Sequence, residues 1–401
     1  METTAALEIT SVAAKFAVGN LVDGKPVIVY HDSKDIRGCV KDGAIVDPEK
    51  VTQVIRGFSE LKDESLSMAV DTSVVSLVLP PMGLTIYQSN KSTNVVAQNN
   101  KISDLDIKNA MSLVTKDRIP NDNEIADIVP DVFMDDKGKQ YALPPYGQES
   151  SSITMCAKVH TLPGEVINNY RSVVERAGFR IRRKSVAPYC AAELIKADGS
   201  IKPGSYFLVD MGAHITSISL IGNSTLFRSL AFPKGGDDLT EAIASDFGIP
   251  FEEAERLKVT YGYDTRVRSY KRPLAVTRGE NGQERKRYQE DLNAVIVRFI
   301  DEYEALLINA INQLVEYENA RKQDIMSLDI VFTGGASLLK GLDGLFARSL
   351  QSHKLHFFSP HVMGARDPRF TNCIGIIVAG GIYKGALEDM RGGVGGLSRG
   401  R

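Results

Sequence analysis

At 401 residues the chain is longer than one hydrophobic core usually organises, which predicts two or more domains. Its 43% hydrophobic and 24% charged content is ordinary for a globular protein, and a net charge of −2 offers no whole-chain attraction for nucleic acid, which is not expected as a partner. Cys39, Cys156, Cys190 and Cys373 stand far apart without CxxC spacing, and the sequence shows neither a signal peptide nor an apolar run of ~18 residues; reduced thiols in a cytoplasm are expected, not a disulfide framework, a zinc site or a spanning helix.

Residues 5–31 open the chain as three strands: "AALEI", apolar around Glu8, then "KFAVGNL", the turn "VDGK" and "PVIVYH". "DPEKVTQVIRGFSEL" (47–61) sets Val51, Val54, Ile55 and Phe58 on one helical face behind Asp47-Pro48. Residues 65–81 carry β-branched runs that read as strands, and a short helix over 103–115 opens at Ser103. Residues 123–147, rich in Pro and Asp, read as strand and turn, and 163–179 as a helix stopped at Gly178. Residues 206–231 then repeat the opening plan, with "YFLVDM" apolar around Asp210, "ITSISLI", a Gly222-Asn223 turn and "TLFRSLAF". "LEITSVAAK" (7–15) aligns with "VDMGAHITS" (209–217), an acid second in each, so the chain reads as an internal duplication giving two similar α/β domains. Helices follow over 239–248 and 250–262, then a polar, basic stretch at 264–287. Residues 288–320 form a long amphipathic helix whose face carries Leu292, Val295, Ile296, Phe299, Ile300, Tyr303, Leu306, Leu307, Ile311 and Leu314. "LDIVFTGGASLLKGL" (328–342) reads as a buried strand, a Gly-Gly turn and a helix; 372–390 is a final helix, and the Gly-rich residues 391–401 are expected to be disordered.

The chemistry sits at the ends of these strands. A nucleotide needs backbone N–H groups from tight turns for its phosphates and a carboxylate near its metal. Each copy of the duplicated unit offers one turn and one acid: Asp210, Gly212 and Thr216 in the second, Glu8, Thr10, Ser11 and Lys15 in the first, with Lys15 as a point charge for phosphate. Asp210 is the metal candidate and, with Glu8, the candidate for catalysis. "FTGGAS" gives Gly334, Gly335, Ala336 and Ser337, bare backbone against which a flat ring can lie. "KGGDDLT" puts Gly235, Gly236 and Asp237 at a helix start, where an anion is favoured. Glu255 and Lys258, three apart on one helical face, could bond ribose hydroxyls. Each fragment alone is usually a turn or a surface pair; their order after a duplication is what is specific.

In these residues the chain resembles the actin-like ATPase superfamily, shared with sugar kinases and heat-shock chaperone ATPases, and within it the FtsA family of bacterial cell division. The stretches that carry the likeness are "RGCVKDGAIVDPEKVTQVI" (37–55), "IPNDNEIADIVPDVFMDD" (119–136), "TMCAKVHTLPGEVINNYRSVVERAGF" (154–179), "FPKGGDDLTEAIASDFGIPFEEAERLK" (232–258) and "IVFTGGASLLKGL" (330–342). PilM, a pilus protein, is similar in the second half, but 119–160 favours FtsA. The resemblance implies a two-lobed α/β fold with duplicated β-meander cores. Residues 1–80 and 163–204 would form subdomain 1A, with 81–162 inserted as an SHS2-like subdomain 1C. Residues 205–238 and 325–361 would form 2A around a 2B subdomain of 239–324, and 362–390 would be a helix returning to 1A.

The same resemblance implies ATP and Mg2+ as cofactors, self-association into filaments or dimers, and FtsZ among other division proteins as partners. It places the chain in the cytoplasm, peripheral on the cell membrane at the division septum. Arg266, Arg268, Lys271, Arg272, Arg278, Arg285, Lys286 and Arg287 form either a solvated hairpin or a docking surface for an acidic-apolar peptide such as the FtsZ tail. Several positions depart from the family pattern. Glu8 stands where Asp is usual, Thr10 where Gly is usual, and Ala213, His214 and Ile215 where small residues and a hydroxyl are usual. Weak or no ATP hydrolysis is therefore expected; His214 reads either as packed outside the pocket or as itself a donor to a phosphate. "RGGVGGLSRGR" cannot form the apolar face of a membrane helix, so membrane contact is expected to be indirect or through a tail helix this sequence lacks. The alternatives are a PilM-like pilus-assembly adaptor, an active ATPase or kinase of this fold, and a scaffold with an empty cleft.

Overall fold

The computed structural model describes residues 3–59, 72–97, 99–116, 119, 122–201, 204–222, 225–266, 272–278, 283–317 and 327–382. The chain divides into two compact units: Met1–Gly204 with Ile221–Ser229 and Pro360–Arg401, and Ser205–Leu220 with Leu230–Ser359.

The first unit opens with the expected meander, β1 (Thr4–Ile9), β2 (Ala13–Val22) and β3 (Lys25–Asp35). Asp23 and Gly24 both take positive φ, 52° and 77°, as the tight turn between right-twisted strands requires. A short ladder, β4 (Val40–Lys41) with β5 (Ala44–Ile45), leads to α1 (Pro48–Ser59). Phe58 of α1 stacks on Phe16 of β2 with ring centroids 5.2 Å apart, which seats the helix on the sheet. β6 (Val74–Leu79) is the strand found in 65–81, whose first part lies outside the described residues.

Next come β7 (Thr85–Asn94), α2 (Asp104–Thr115), β8 (Asn123–Asp135), β9 (Gln140–Tyr141) and β10 (Ser152–Pro163). Their strands form a separate sheet in the order β7-β10-β8-β9. The apolar face of α2, with Ile107, Met111 and Val114, packs with Phe133 and Met155 in one core. α2 starts as read: Ser103 N and Ser103 Oγ both donate to Asp106 Oδ2, at 2.8 Å and 2.6 Å.

α3 (Gly164–Arg176) ends before Gly178, whose φ is 95°. β11 (Arg180–Val186) and α4 (Ala187–Asp198) then complete this part; neither was read from the sequence. The first sheet has the order β11-β6-β1-β2-β3, with β6 parallel to both β1 and β11.

The second unit repeats this order. β12 (Ser205–Met211), β13 (Thr216–Gly222) and β14 (Thr225–Phe232) form the second meander; Asn223 of its turn lies outside the described residues. α5 (Gly236–Phe247) and α6 (Phe251–Tyr261) precede a two-stranded ladder, β15 (Ala275–Arg278) with β16 (Glu284–Arg287), and α7 (Gln289–Tyr317). Most of the predicted face of α7 is buried around Tyr303, but Leu306, at its margin, is 39% exposed.

β17 (Asp329–Thr333) runs into Gly334 and then a single 3-10 turn, Gly335–Leu338, in place of the helix expected there. The reason is local: Gly334 has φ 88° and ψ 171°, and a second left-handed residue, Gly341, must be passed before α8 (Leu342–Ser349) begins. With β18 (Leu355–Phe357) the sheet order is β14-β13-β12-β17-β18, and β17 is parallel to both β12 and β18. Meander, parallel strand, parallel strand: the two sheets share one plan, as the duplication predicts.

The meander tip, 221–229, belongs to the first unit. There Thr225 Oγ1 donates to Asp131 of β8 at 3.3 Å, and Lys158 of β10 lies 4.5 Å over the Phe227 ring. The chain finally returns through α9 (Thr371–Ile382), which crosses α4 so closely that a Cβ on Gly375 would stand 1.9 Å from the Cys190 carbonyl oxygen. Residues 383–401, with the expected tail, lie outside the described residues.

Candidate functional site

In the second unit, β12 carries Asp210 to the end of its strand and releases the chain into the loop Gly212–Ile215. The loop is closed by Gly212 N donating to Ile215 O at 2.9 Å. It then docks on the start of α5. Gly236 N donates to Gly212 O at 3.0 Å and Asp237 N to Ala213 O at 2.8 Å, while Gly235 N donates to the Asp238 carboxylate at 2.7 Å. A Cβ on Gly235 would lie 2.5 Å from Ala213 O, so this approach is possible only with bare backbone. The "KGGDD" run thus positions the loop, and the α5 N–H groups read as anion donors already hold protein acceptors.

Gly334 closes on the same place: its absent Cβ would fall 2.3 Å from Asp210 Oδ1 and 2.6 Å from Met211 O. The turn after it is fixed by Ser337 Oγ donating to Gly334 O at 2.7 Å, and the Ala336 methyl lies 3.2 Å from where a Gly236 side chain would start. Asp210, Gly212, Gly235, Gly236, Asp237 and the turn Gly334–Ser337 are therefore gathered together.

Glu255 and Lys258 join this group from α6. The buried Lys258 ammonium donates to Gly236 O at 2.8 Å and Thr240 Oγ1 at 2.7 Å and pairs with Glu255 Oε2 at 2.6 Å. Three N–H bonds thus have three partners, so Lys258 ties α6 to α5, and Glu255 is the more exposed of the two. Lys258→Met should lower stability by about 1.5–3 kcal/mol, the usual worth of hydrogen bonds to a charged group. Chemical denaturation checks this; an unchanged midpoint would show that these bonds contribute nothing.

Thr216 does not join the group. Its Oγ1 donates to Lys234 O at 2.8 Å and lies 2.8 Å from the Tyr303 hydroxyl, wholly buried against α7. Burial, and after it the charge of Asp210, pushes the Tyr303 phenol up, against the pull of the Thr216 bond. His214 takes a role that the sequence did not foretell. Its Nε2 is 3.3 Å from Asp237 Oδ2, and that hydrogen bond raises the imidazole above its ordinary pKa despite partial burial. The two residues are distant in the chain and meet only because the loop docks on α5, so no local signal could have shown the pair.

In the first unit the register of the meander sets Glu8 directly across from Lys15, and their side chains form an ion pair at 3.0 Å. Lys15 Nζ also donates to Arg369 O at 2.6 Å, and Asn372 Nδ2 donates to Glu8 Oε1 at 2.9 Å. The turn between the strands is self-contained: Thr10 N donates to Ala13 O at 2.9 Å, and Ala13 N to Thr10 Oγ1 at 3.1 Å. Ser11 is buried within it. Lys15, read as a phosphate ligand, is thus held by its own sheet and by the return segment.

Among the described residues no three His, Cys, Asp or Glu side chains form a metal-binding group. Mg2+ can be held by one carboxylate with waters and phosphates, and in this group of residues Asp210, packed against bare Gly334 backbone, is the carboxylate that would hold it.

The family model described as cell division protein FtsA matches residues 207–375, a span that contains every second-unit residue above. Among relatives, the cell division protein FtsA of Enterococcus faecalis is 25% identical over 391 residues, 96% of this chain and 84% of that protein. The FtsA of Enterococcus hirae is 27% identical over 375 residues, 92% and 81% of the two chains, and that of Bacillus subtilis 25% identical over 378 residues, 92% and 82%. Among solved structures, a PilM–PilN type IV pilus biogenesis complex matches with a TM-score of 0.58 at 16% identity, covering 94% of this chain and 98% of that one. MreB5 of Spiroplasma citri bound to ADP matches with a TM-score of 0.52 at 14% identity, covering 94% and 95%. The actin-like fold and the FtsA resemblance are both borne out.

Proposed function

The chain is a distant relative of the FtsA proteins with the actin-like ATPase fold, and from that premise we propose that it is an ATP-binding cell-division adaptor. The observation that carries this is the gathering of Asp210, Gly236, Glu255 and Gly334–Ser337 on bare backbone, inside the segment that the FtsA model matches. Adenine lies against Gly334, Gly335 and Ala336, the ribose at Glu255, and the phosphates along Gly212–His214. Mg2+ binds through Asp210 and neutralises phosphate charge. The adaptor recruits FtsZ through its tail at 239–324, meets other division proteins, and self-associates through the 81–162 sheet. It works at the cytoplasmic face of the membrane; among the described residues no helix is long and apolar enough to cross it.

ATP acts here as a conformational ligand more than a fuel. Rapid hydrolysis needs an aligned water and free donors at the leaving phosphate. Beside the Gly212–Ile215 loop the donors Gly235 N, Gly236 N and Asp237 N are already bonded to Asp238, Gly212 and Ala213. Calorimetric titration with ATP and Mg2+ should show one site per chain, while phosphate release should stay far below ~1 s−1, under the usual enzyme range. An FtsZ tail peptide should co-sediment with ATP-loaded protein. Absence of ATP binding, turnover at ~1 s−1 or faster, or capture of an inner-membrane pilus protein in place of FtsZ would each refute a part of this reading.

A further inference from the structure

Most cationic and N–H groups that a phosphate would ordinarily address near this site already hold protein partners. The first N–H groups of α5 bond Asp238, Gly212 and Ala213. Lys258 is saturated by Gly236, Thr240 and Glu255.

His214 differs from them. It sits in the middle of the Gly212–Ile215 loop, and its side chain is 45% exposed. Its partner, the Asp237 carboxylate, is only 7% exposed and stands at the second residue of α5, so its negative charge lies where an anion would have to approach. An imidazolium at this position cancels that charge and still has a second N–H to offer.

We propose that His214, held by Asp237, is a phosphate-binding residue of the nucleotide site and makes nucleotide affinity depend on pH. This rests on the nucleotide reading above and deepens it. The ring donates a charge-assisted hydrogen bond to a phosphate oxygen. The charged groups acting on His214 are Asp237, Asp238 and Glu241, all acidic and all on α5, and they favour the protonated ring. Below the folded pKa the ring is charged and affinity is full. As pH rises through that value the donor is lost, the Asp237 charge is uncovered, and affinity falls.

The test is ATP titration by calorimetry with Mg2+ at about pH 6 and about pH 8.5, on either side of the ordinary histidine range. Wild-type affinity should fall by about tenfold across this interval relative to His214→Gln, the loss expected for one charge-assisted hydrogen bond. Referring each value to the Gln variant removes the titration of ATP itself, which acts in the opposite direction. His214→Lys, charged at both pH values, should bind tightly at both. Parallel profiles for wild type and His214→Gln overturn the assignment of His214 while leaving nucleotide binding intact. A wild-type chain that binds no ATP at either pH overturns both, so the two failures are distinct.

Discussion

Replacing Gly375 with alanine should lower the unfolding midpoint of the chain by roughly 10 °C, as read by scanning calorimetry, the shift that about 3 kcal/mol or more produces in a unit of this size. The added methyl would stand 1.9 Å from Cys190 O, 2.4 Å from its carbonyl carbon and 3.1 Å from its Cα. All three are backbone atoms of α4, so no side chain can turn away and the two helices must separate. Separation would open a seam among residues that are wholly buried, including Ala191, Ile374 and Ile376. Alanine is the better helix former by up to about 1 kcal/mol, so the clash has to overcome a real gain. A variant as stable as wild type would mean that the crossing yields without cost.

Gly334→Ala should act on the second unit with comparable force and should also weaken ATP binding by at least about tenfold. Two penalties coincide. A φ of 88° with ψ of 171° is backbone that essentially only glycine adopts, at about 1–3 kcal/mol for other residues. The new Cβ would also meet Asp210 Oδ1 at 2.3 Å and Met211 O at 2.6 Å. Relief requires moving either the end of β12 or the turn that follows β17, and each carries part of the proposed site. Unfolding and ATP titration on one preparation decide the matter: wild-type values in both would remove Gly334 from the site.

The meanders were legible because strand alternation and turn chemistry are local. Asp-Gly at 23–24 names its own turn, and register then makes neighbours of Glu8 and Lys15. β11 was not legible. "RIRRKSV" shows no apolar alternation, yet it pairs in parallel with β6, with Arg183, Lys184 and Ser185 buried; sheet context overrides its composition. α4, "APYCAAELIKAD", is buried on nearly every side and so lacks the polar face that marks a helix from its period. In the site, glycines and acids announced themselves by type. The pairing of His214 with Asp237 and the saturation of Lys258 depend on how a loop docks on a helix, which spacing alone does not encode.

The tip of the second meander, residues 221–229, has a consequence for how such a chain can be divided and inherited. The backbone passes between the units at 204–205, 220–221, 229–230 and 359–360, so no single contiguous excision separates them. A fragment cut out as 205–359 would carry Thr225 and Phe227 away from Asp131 and Lys158, trading a satisfied contact for exposed apolar surface. The two halves arose on one plan but are no longer interchangeable parts. Substitutions in the tip must suit β8 and β10 as well as the sheet from which the tip extends, so these segments are bound to change together.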